Sequence, residues 1–272
     1  MLEVTTHGPI TRVRMARTIV GFDLHHSSAF HVGGLLIDTG PPATAEELAA
    51  WCRDRDIEMV VITHHHEDHV GGAARIKSTL GLPIHAPTPA IPMLAEGLRL
   101  PFYRMFVFHG RPRPFVAEPL PETITCGDLS FRAIPTPGHA FDHVCLFEEN
   151  HRWLFTGDLY VHERVNMFRR IEDVWMHIDS LRRVLALEPD LLICSQSGFF
   201  EDAQDVLKHK IRFWEELADE ARRLRDRGWS LRDITRELLG REGMRTYLSA
   251  GEFSKLRLIR GLLRGHGSGR PG

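Results

Sequence analysis

The decamer Thr63 to Gly72, THHHEDHVGG, constrains this chain more than any other stretch, because it crowds His64, His66 and His69 together with Glu67 and Asp68. Imidazole nitrogen and carboxylate oxygen are the donors that borderline cations such as zinc accept most readily, and a catalytic zinc keeps one position open for water. His64, His66, Asp68 and His69 fit the spacing H-x-H-x-D-H, with His65 and Glu67 in the variable positions. The apolar, β-branched run Ile57 to Thr63 reads as a buried strand, so these side chains are expected on a loop at its carboxyl end. In extended chain His64 and His66 point the same way, and a turn at Glu67 brings Asp68 and His69 round beside them. Two neighbouring metal positions are the expectation.

Three further segments follow in order: Asp38 in LLIDTG, His139 in TPGHAFDH and Asp158 in LFTGDLY. With the His-rich decamer they give the chain a pattern that resembles the metallo-β-lactamase superfamily over about residues 10 to 200. The resemblance implies an α+β fold, the four-layer αβ/βα sandwich. It also implies a first metal held by His64, His66 and His139, a second held by Asp68 and His69, and a bridging Asp158. Asp38 matches an acidic residue that supports a ligand from behind. The implied cofactor is zinc, one ion or two, with manganese or iron as alternatives, above all at the second position. Asp68 is the implied catalytic residue, placed to orient or deprotonate water at neutral pH. The chain departs from the pattern at the fifth motif, where the family carries a terminal histidine ligand of the second metal. Here the strand LLIC runs into Ser195-Gln196-Ser197-Gly198. Gln196 is expected to stand in as a weak ligand, leaving unequal sites with a single-metal enzyme as the limit.

TPGH and FTGD resemble the glyoxalase-II-like and lactonase-like branches, which implies hydrolysis of a small ester, thioester or lactone. Other readings stay open: a nucleic-acid phosphodiesterase, a mononuclear iron persulfide-dioxygenase-like member, and a non-catalytic metal-binding relative. The net charge of −2 hides an asymmetry that bears on the first of these. From Ala221 onward there are 13 Lys/Arg against 5 Asp/Glu, while the preceding residues carry 21 against 31. A basic tail is compatible with nucleic acid, but an Arg-rich solvated helix face explains it as well, so a small-molecule substrate is expected and nucleic acid is not.

No segment has the length of apolar sequence that a membrane span needs, and the first twenty residues lack an apolar signal region, so a cytoplasmic protein is expected. Cys52, Cys126, Cys145 and Cys194 are widely spaced in apolar contexts and read as buried, reduced thiols.

Along the chain, residues 10–38 read as strands that deliver Asp38 to a turn. Thr44-Ala-Glu-Glu47 reads as a capping box before a helix over about 45–55, and a second helix is expected over about 73–80. Residues 87–122 hold eight prolines and no clean periodicity. They are expected to form a long loop whose Phe102, Tyr103 and Phe106 wall a substrate pocket, with a dimer-forming insertion as the alternative. Tyr160 is a further pocket candidate, with packing as the equal alternative, and His143 reads as a core histidine or as a support for the metal ligands, the former favoured. Amphipathic spacing predicts helices over 172–187 and from about 205 onward. The resulting domain division is a catalytic unit over 1–204, a helical C-terminal subdomain over 205–265 and a disordered tail over 266–272.

Overall fold

Alternate residues of the central strands enter two different cores, and that division builds the layers. In strand β4 (Leu35–Ile37) the side chains of Leu35 and Ile37 join one cluster and Leu36 another; in β5 (Met59–Val61) Val61 and Val60 divide the same way. Strands apolar on both faces are the signature of a sheet covered on both sides. The computed structural model describes residues 2–19, 22–108 and 110–265. The expected tail over 266–272 lies outside the described residues.

One sheet runs in chain order: β1 (Leu2–His7), β2 (Ile10–Ile19), β3 (Phe22–Val32), β4, β5, β6 (Ile84–Ala86) and β7 (Glu118–Pro119). It is antiparallel as far as β4 and parallel from β4 to β7. The second sheet runs β8 (Thr123–Cys126), β9 (Leu129–Pro135), β10 (Val144–Glu148), β11 (Trp153–Phe155), β12 (Leu191–Cys194) and β13 (Gly198–Phe200), with β11 and β12 parallel. Phe30, Leu35, Ile37 and Val61 of the first sheet meet Phe131, Leu146, Phe155 and Ile193 of the second in a shared inner core. The helices α1 (Ala45–Cys52), α2 (Glu67–Val70), α3 (Ala73–Leu80), α4 (Ile91–Glu96) and α5 (Phe102–Phe108) follow strands of the first sheet, and α1 and α3 cover its outer face through Leu48 and Ile76. The second sheet is covered by α6 (Val174–Leu185) and by α7 (Ala203–Asp226), α8 (Leu231–Leu239) and α10 (Lys255–Arg264), with α9 (Met244–Leu248) between the last two. The expected α+β sandwich with a helical C-terminal part is the observed architecture. No described helix is long and apolar enough to cross a membrane.

The C-terminal helices share one core with the sandwich. Leu154, Leu192 and Cys194 from the second sheet lie in the same cluster as Ile178 of α6, Trp214 of α7 and Leu258 of α10. Trp214 is fully buried and donates its indole N–H to the Val165 carbonyl, so burial leaves no polar atom of that ring unpaired. Among the described residues no strand follows β13, so the helix capped by Ser230 is not succeeded by the β-hairpin of a winged-helix unit.

Two local expectations are corrected. Thr44 does not cap α1 through its side chain: a 3-10 turn over Pro42–Thr44 comes first, and the Thr44 hydroxyl donates back to the Pro41 carbonyl. Residues 87–122 are not a continuous loop, because α4 and α5 form within them; Pro92 lies in the first turn of α4, where a missing N–H costs nothing. All four cysteines are buried free thiols, as expected.

Lys210 of α7 is buried, donates to the His162 carbonyl at 2.8 Å and lies 4.5 Å from the Trp214 ring centre. Burial pushes its ammonium down to about 7 from the ordinary 10.5. Between those two values the unfolded chain binds a proton that the folded chain does not, so this residue makes stability rise with pH across that window. We predict that Lys210→Met raises the melting temperature at pH 7 and removes that contribution. Thermal melts of both proteins from pH 7 to 10.5 should converge as the pH rises, and a constant gap would contradict the assignment.

Candidate metal centre

The site lies where the strands end between the two sheets. Asp38 follows β4, Thr63 follows β5, His139 lies in the turn after β9, and Asp158 and Ser195 follow β11 and β12. The His-rich decamer leaves β5 through bends at 63–65, and Glu67–Val70 forms the one-turn helix α2 rather than the open loop expected. Gly71 ends that turn under Pro41 and Pro42, where a Cβ would stand 2.2 Å from the Pro42 nitrogen; only glycine allows this approach. Gly138, at φ +134°, likewise lets the His139 turn lie against the backbone of His177.

His64 Nε2 and His139 Nε2 each lie 2.9 Å from His66 Nδ1, so three imidazole nitrogens converge. His64, His69 and Asp158 form a second, overlapping convergence. The two oxygens of Asp158 face different neighbours: Oδ2 lies 3.5 Å from His139 Nε2 and Oδ1 lies 3.4 Å from His69 Nε2.

The remote ring nitrogens decide whether these groups can hold a cation, since a ligand nitrogen needs its lone pair free and the ring proton elsewhere. His64 Nδ1 is 3.0 Å from the Thr63 hydroxyl, His69 Nδ1 is 2.7 Å from Asp38, and His139 Nδ1 is 3.0 Å from Glu172. Each arrangement places a proton on Nδ1 and leaves Nε2 turned into the site. His69 Nε2 is buried without a hydrogen-bond partner, which is the environment of a ligand atom. His66 is the exception, because its Nε2 accepts from Arg169 at 3.0 Å. Were Nδ1 to hold a cation, the ring proton would sit on Nε2 and Arg169 would lose this contact while keeping Glu252, 3.1 Å from its Nε, as partner.

Electrostatics favour the ligand forms of His64, His66 and the two carboxylates but not of His69. Burial, reinforced by neighbouring cationic groups, holds His64 and His66 well below the ordinary imidazole value and so neutral. Burial also pushes His143 down to about 3; its Nε2 accepts the Asp158 N–H at 3.2 Å, so this residue fixes the backbone beneath Asp158. Burial would lower His69 as well, but Asp38, Asp158 and Asp68 outweigh it and hold the ring protonated well above the ordinary value. For Asp68 and Asp158 burial opposes ionisation, and the charge on His69 prevails, keeping both well below the usual carboxylate range.

The sequence profile of the metallo-beta-lactamase superfamily matches residues 30–196, a span that holds His64, His66, Asp68, His69, His139 and Asp158 together with Asp38. The chain belongs to the metallo-beta-lactamase superfamily. A hydroxyacylglutathione hydrolase of Bdellovibrio bacteriovorus is 27% identical over 139 residues, covering 51% of this chain and 48% of that protein. A fungal thioesterase, pkgB of Emericella nidulans, is 30% identical over 161 residues, covering 57% of this chain and 39% of that one. The chain thus spans about half the length or less of these curated relatives. Among solved structures, a metallo-beta-lactamase family protein from Thermus thermophilus superposes with a TM-score of 0.71 at 17% identity, over 98% of this chain and 97% of that one. A beta-lactamase domain protein from Burkholderia ambifaria gives 0.71 at 19%, over 96% and 88%. The likeness runs through the helical C-terminal part.

Against the superfamily pattern, His64, His66, His69, His139 and Asp158 are brought together, and Asp38 lies behind His69 at its Nδ1. Asp68 stands at the edge, its Oδ2 3.9 Å from His69 Nε2 and 3.0 Å from His25 Nε2. At the fifth-motif place, the main-chain carbonyl of Gln196 accepts from Arg12 Nη2 at 2.6 Å and lies 3.2 Å from His26 Nε2, which ties this backbone to β2 and β3. The preceding Ser195 donates to Asp158 Oδ1. Tyr160 is corrected from pocket to core; it is buried against Phe200, and burial pushes its phenol up to about 12. Phe102 and Tyr103 line a cavity beside the site, whereas Phe106 lies under the Arg17 guanidinium and does not. Ser195, Glu172, Arg169 and the Asp142 carboxylate that grips His65 escape a sequence reading, because single residues of common type carry no local spacing.

These contacts predict that zinc uptake releases protons, because His69 must surrender one, and that zinc affinity therefore falls as the pH is lowered. Calorimetry in two buffers of different ionisation enthalpy reads this release, and buffer-independent heats would contradict it. Asp38→Ala should weaken zinc binding by roughly 10- to 100-fold in competition with a chromophoric chelator.

Proposed function

We propose that the chain is a metal-dependent hydrolase that cleaves a thioester or ester whose leaving portion carries an anionic group. The observation that carries this reading is a cavity of about 1010 Å³ whose wall includes His66 of the metal cluster and whose rim bears the exposed guanidiniums of Arg99 and Arg170. Phe102, Leu98 and Leu100 supply an apolar side. Such a volume accommodates an acyl group with a sizeable carrier, and the arginines suit carboxylate or phosphate through paired N–H donors. The hydroxyacylglutathione hydrolase and thioesterase relatives point the same way. A single-stranded polynucleotide is less well served, since Arg104 and Arg169 in the same wall are already paired with Glu67 and Glu252.

His64, His66, His139 and Asp158 would hold the first cation, and His69 with Asp68 would contribute to a second. A bound divalent cation supplies Lewis acidity that polarises a carbonyl and brings the pKa of water toward neutrality. Asp68, ionised at neutral pH, accepts a proton from the attacking water. Its position is set by the Ser27 hydroxyl, which donates to the Asp68 carbonyl at 2.7 Å. Arg99 and Arg170 orient the leaving portion, so that the scissile carbonyl presents itself to the cluster rather than to solvent.

His66→Ala or Asp158→Asn should lower thioester hydrolysis by at least about a thousandfold and reduce zinc content while the far-ultraviolet circular dichroism stays unchanged. Full turnover and full metal in either variant would overturn the site. Arg99→Ala/Arg170→Ala should raise KM several-fold for a thioester with an anionic carrier and leave a neutral aryl ester unaffected. Equal effects on both substrates would remove the anionic handle from the proposal.

A further inference from the structure

We infer that His25 is a protein ligand of the second metal position, beside Asp68, His69 and Asp158. The inference rests on the metal-dependent reading above and supplies the donor that the superfamily pattern takes from its fifth motif. The ring reaches the site from β3, across the sheet from the loops that carry the other candidates.

His25 Nε2 lies 3.0 Å from Asp68 Oδ2, and the same oxygen faces His69 Nε2 at 3.9 Å. His69 Nε2, buried, lies 3.4 Å from Asp158 Oδ1. Two imidazoles and two carboxylates thus form a continuous chain of donors around one corner of the cluster. An imidazole nitrogen and a carboxylate oxygen bound to one tetrahedral zinc stand roughly 3.3 Å apart, given metal–ligand bonds of about 2.0 Å. The His25–Asp68 pair is close to that spacing, whereas His69 and Asp158 already converge with His64, so a cation held by all four donors would draw the His25 and Asp68 side chains inward.

The backbone fixes His25 in this place. Residues two apart on a strand share a face, and Ser27, two positions on, binds the carbonyl of Asp68 through its hydroxyl. The face of β3 that is fastened to α2 by Ser27 therefore presents His25 to the Asp68 side chain. The Phe108 ring packs edge-on against the imidazole at 5.1 Å. In the loop after β12 the Ser195 hydroxyl lies between Asp158 Oδ1 and the Gly157 carbonyl, the Gln196 main-chain carbonyl is held by Arg12, and the Ser197 hydroxyl donates to Val161. Two nitrogen and two oxygen donors suit zinc or a similar borderline ion.

The test titrates the metal-stripped full chain with Zn²⁺ and, in parallel, with Co²⁺, reading stoichiometry by elemental analysis after gel filtration and the visible spectrum of the cobalt form. The informative variant is His25→Gln, whose amide keeps a hydrogen bond to Asp68 but is a poor ligand. The unmodified protein should bind two ions, and His25→Gln should keep one tight ion while the second weakens at least about tenfold and its cobalt absorption is lost. His25→Cys, which restores a ligand as thiolate, should recover the second ion, and this arm keeps the test decisive if the glutamine variant folds poorly. Two ions of unchanged affinity in His25→Gln would overturn the inference. A single ion in the unmodified protein would overturn it while leaving the first site intact, and no ion at all would overturn the proposed function as well.

Discussion

The carboxylate of Asp38 is the contact on which the rest of the site depends. Asp38 sits at the end of β4 in the left-handed region, at φ +61°, a conformation that aspartate tolerates better than most residues. Its side chain accepts from the Thr63 N–H at 2.8 Å, from the Thr63 hydroxyl, and from His69 Nδ1 at 2.7 Å. One buried anion thereby ties the end of β4 to the end of β5 and to α2, and sets the tautomer of His69. The Thr63 hydroxyl, in donating to Asp38, is left to accept from His64 Nδ1, so the same anion orients a second imidazole indirectly. Leaving such a carboxylate buried without these partners would cost several kcal/mol, which is why the three segments hold one arrangement.

The layered core supplies the frame for that arrangement. The two sheets share an inner core through alternate residues, and their strand ends bring Asp38, Thr63, His139 and Asp158 to one edge although they are far apart in sequence. The C-terminal helices reach the same edge from the other side. Phe168 and Ser254 pair through their backbones at 3.1 and 3.0 Å, which seats Arg169 between His66 and Glu252. Glu252 also accepts from the Tyr103 hydroxyl, so the wall of the cavity, the metal cluster and the helical part are joined by one polar network. Networks of this kind are costly when half-satisfied and restrict a site to a single geometry when complete.

Much of this is legible in the residues and some of it cannot be. The H-x-H-x-D-H spacing is local and marks the end of β5 as a cluster of donors, although bends at 63–65 and the turn of α2, not extended chain, set where His64, His66 and His69 point. The four-layer order and the distant partners His139 and Asp158 come only by resemblance, because nothing in their own neighbourhoods specifies which strand end they face. Tyr160 looks available for chemistry since it lies two residues after Asp158, but the chain turns inward there and the ring closes against Phe200. The main-chain carbonyl of Gln196 is held by Arg12, a contact between residues 184 apart in sequence that no local spacing announces. His25 is hidden for the same reason: one histidine in a strand carries no spacing signal, and only the packing of β3 against α2 gives it a neighbour.

The central claim is that three imidazoles define a cation position between the two sheets. It is tested most directly by a crystal structure of the zinc-loaded protein with data collected on both sides of the zinc absorption edge. The account predicts an anomalous peak coordinated by His64 Nε2, His66 Nδ1 and His139 Nε2, with Asp158 Oδ2 in contact and Arg169 turned to Glu252. An anomalous peak elsewhere on the protein, or none at this position at full zinc loading, would contradict it.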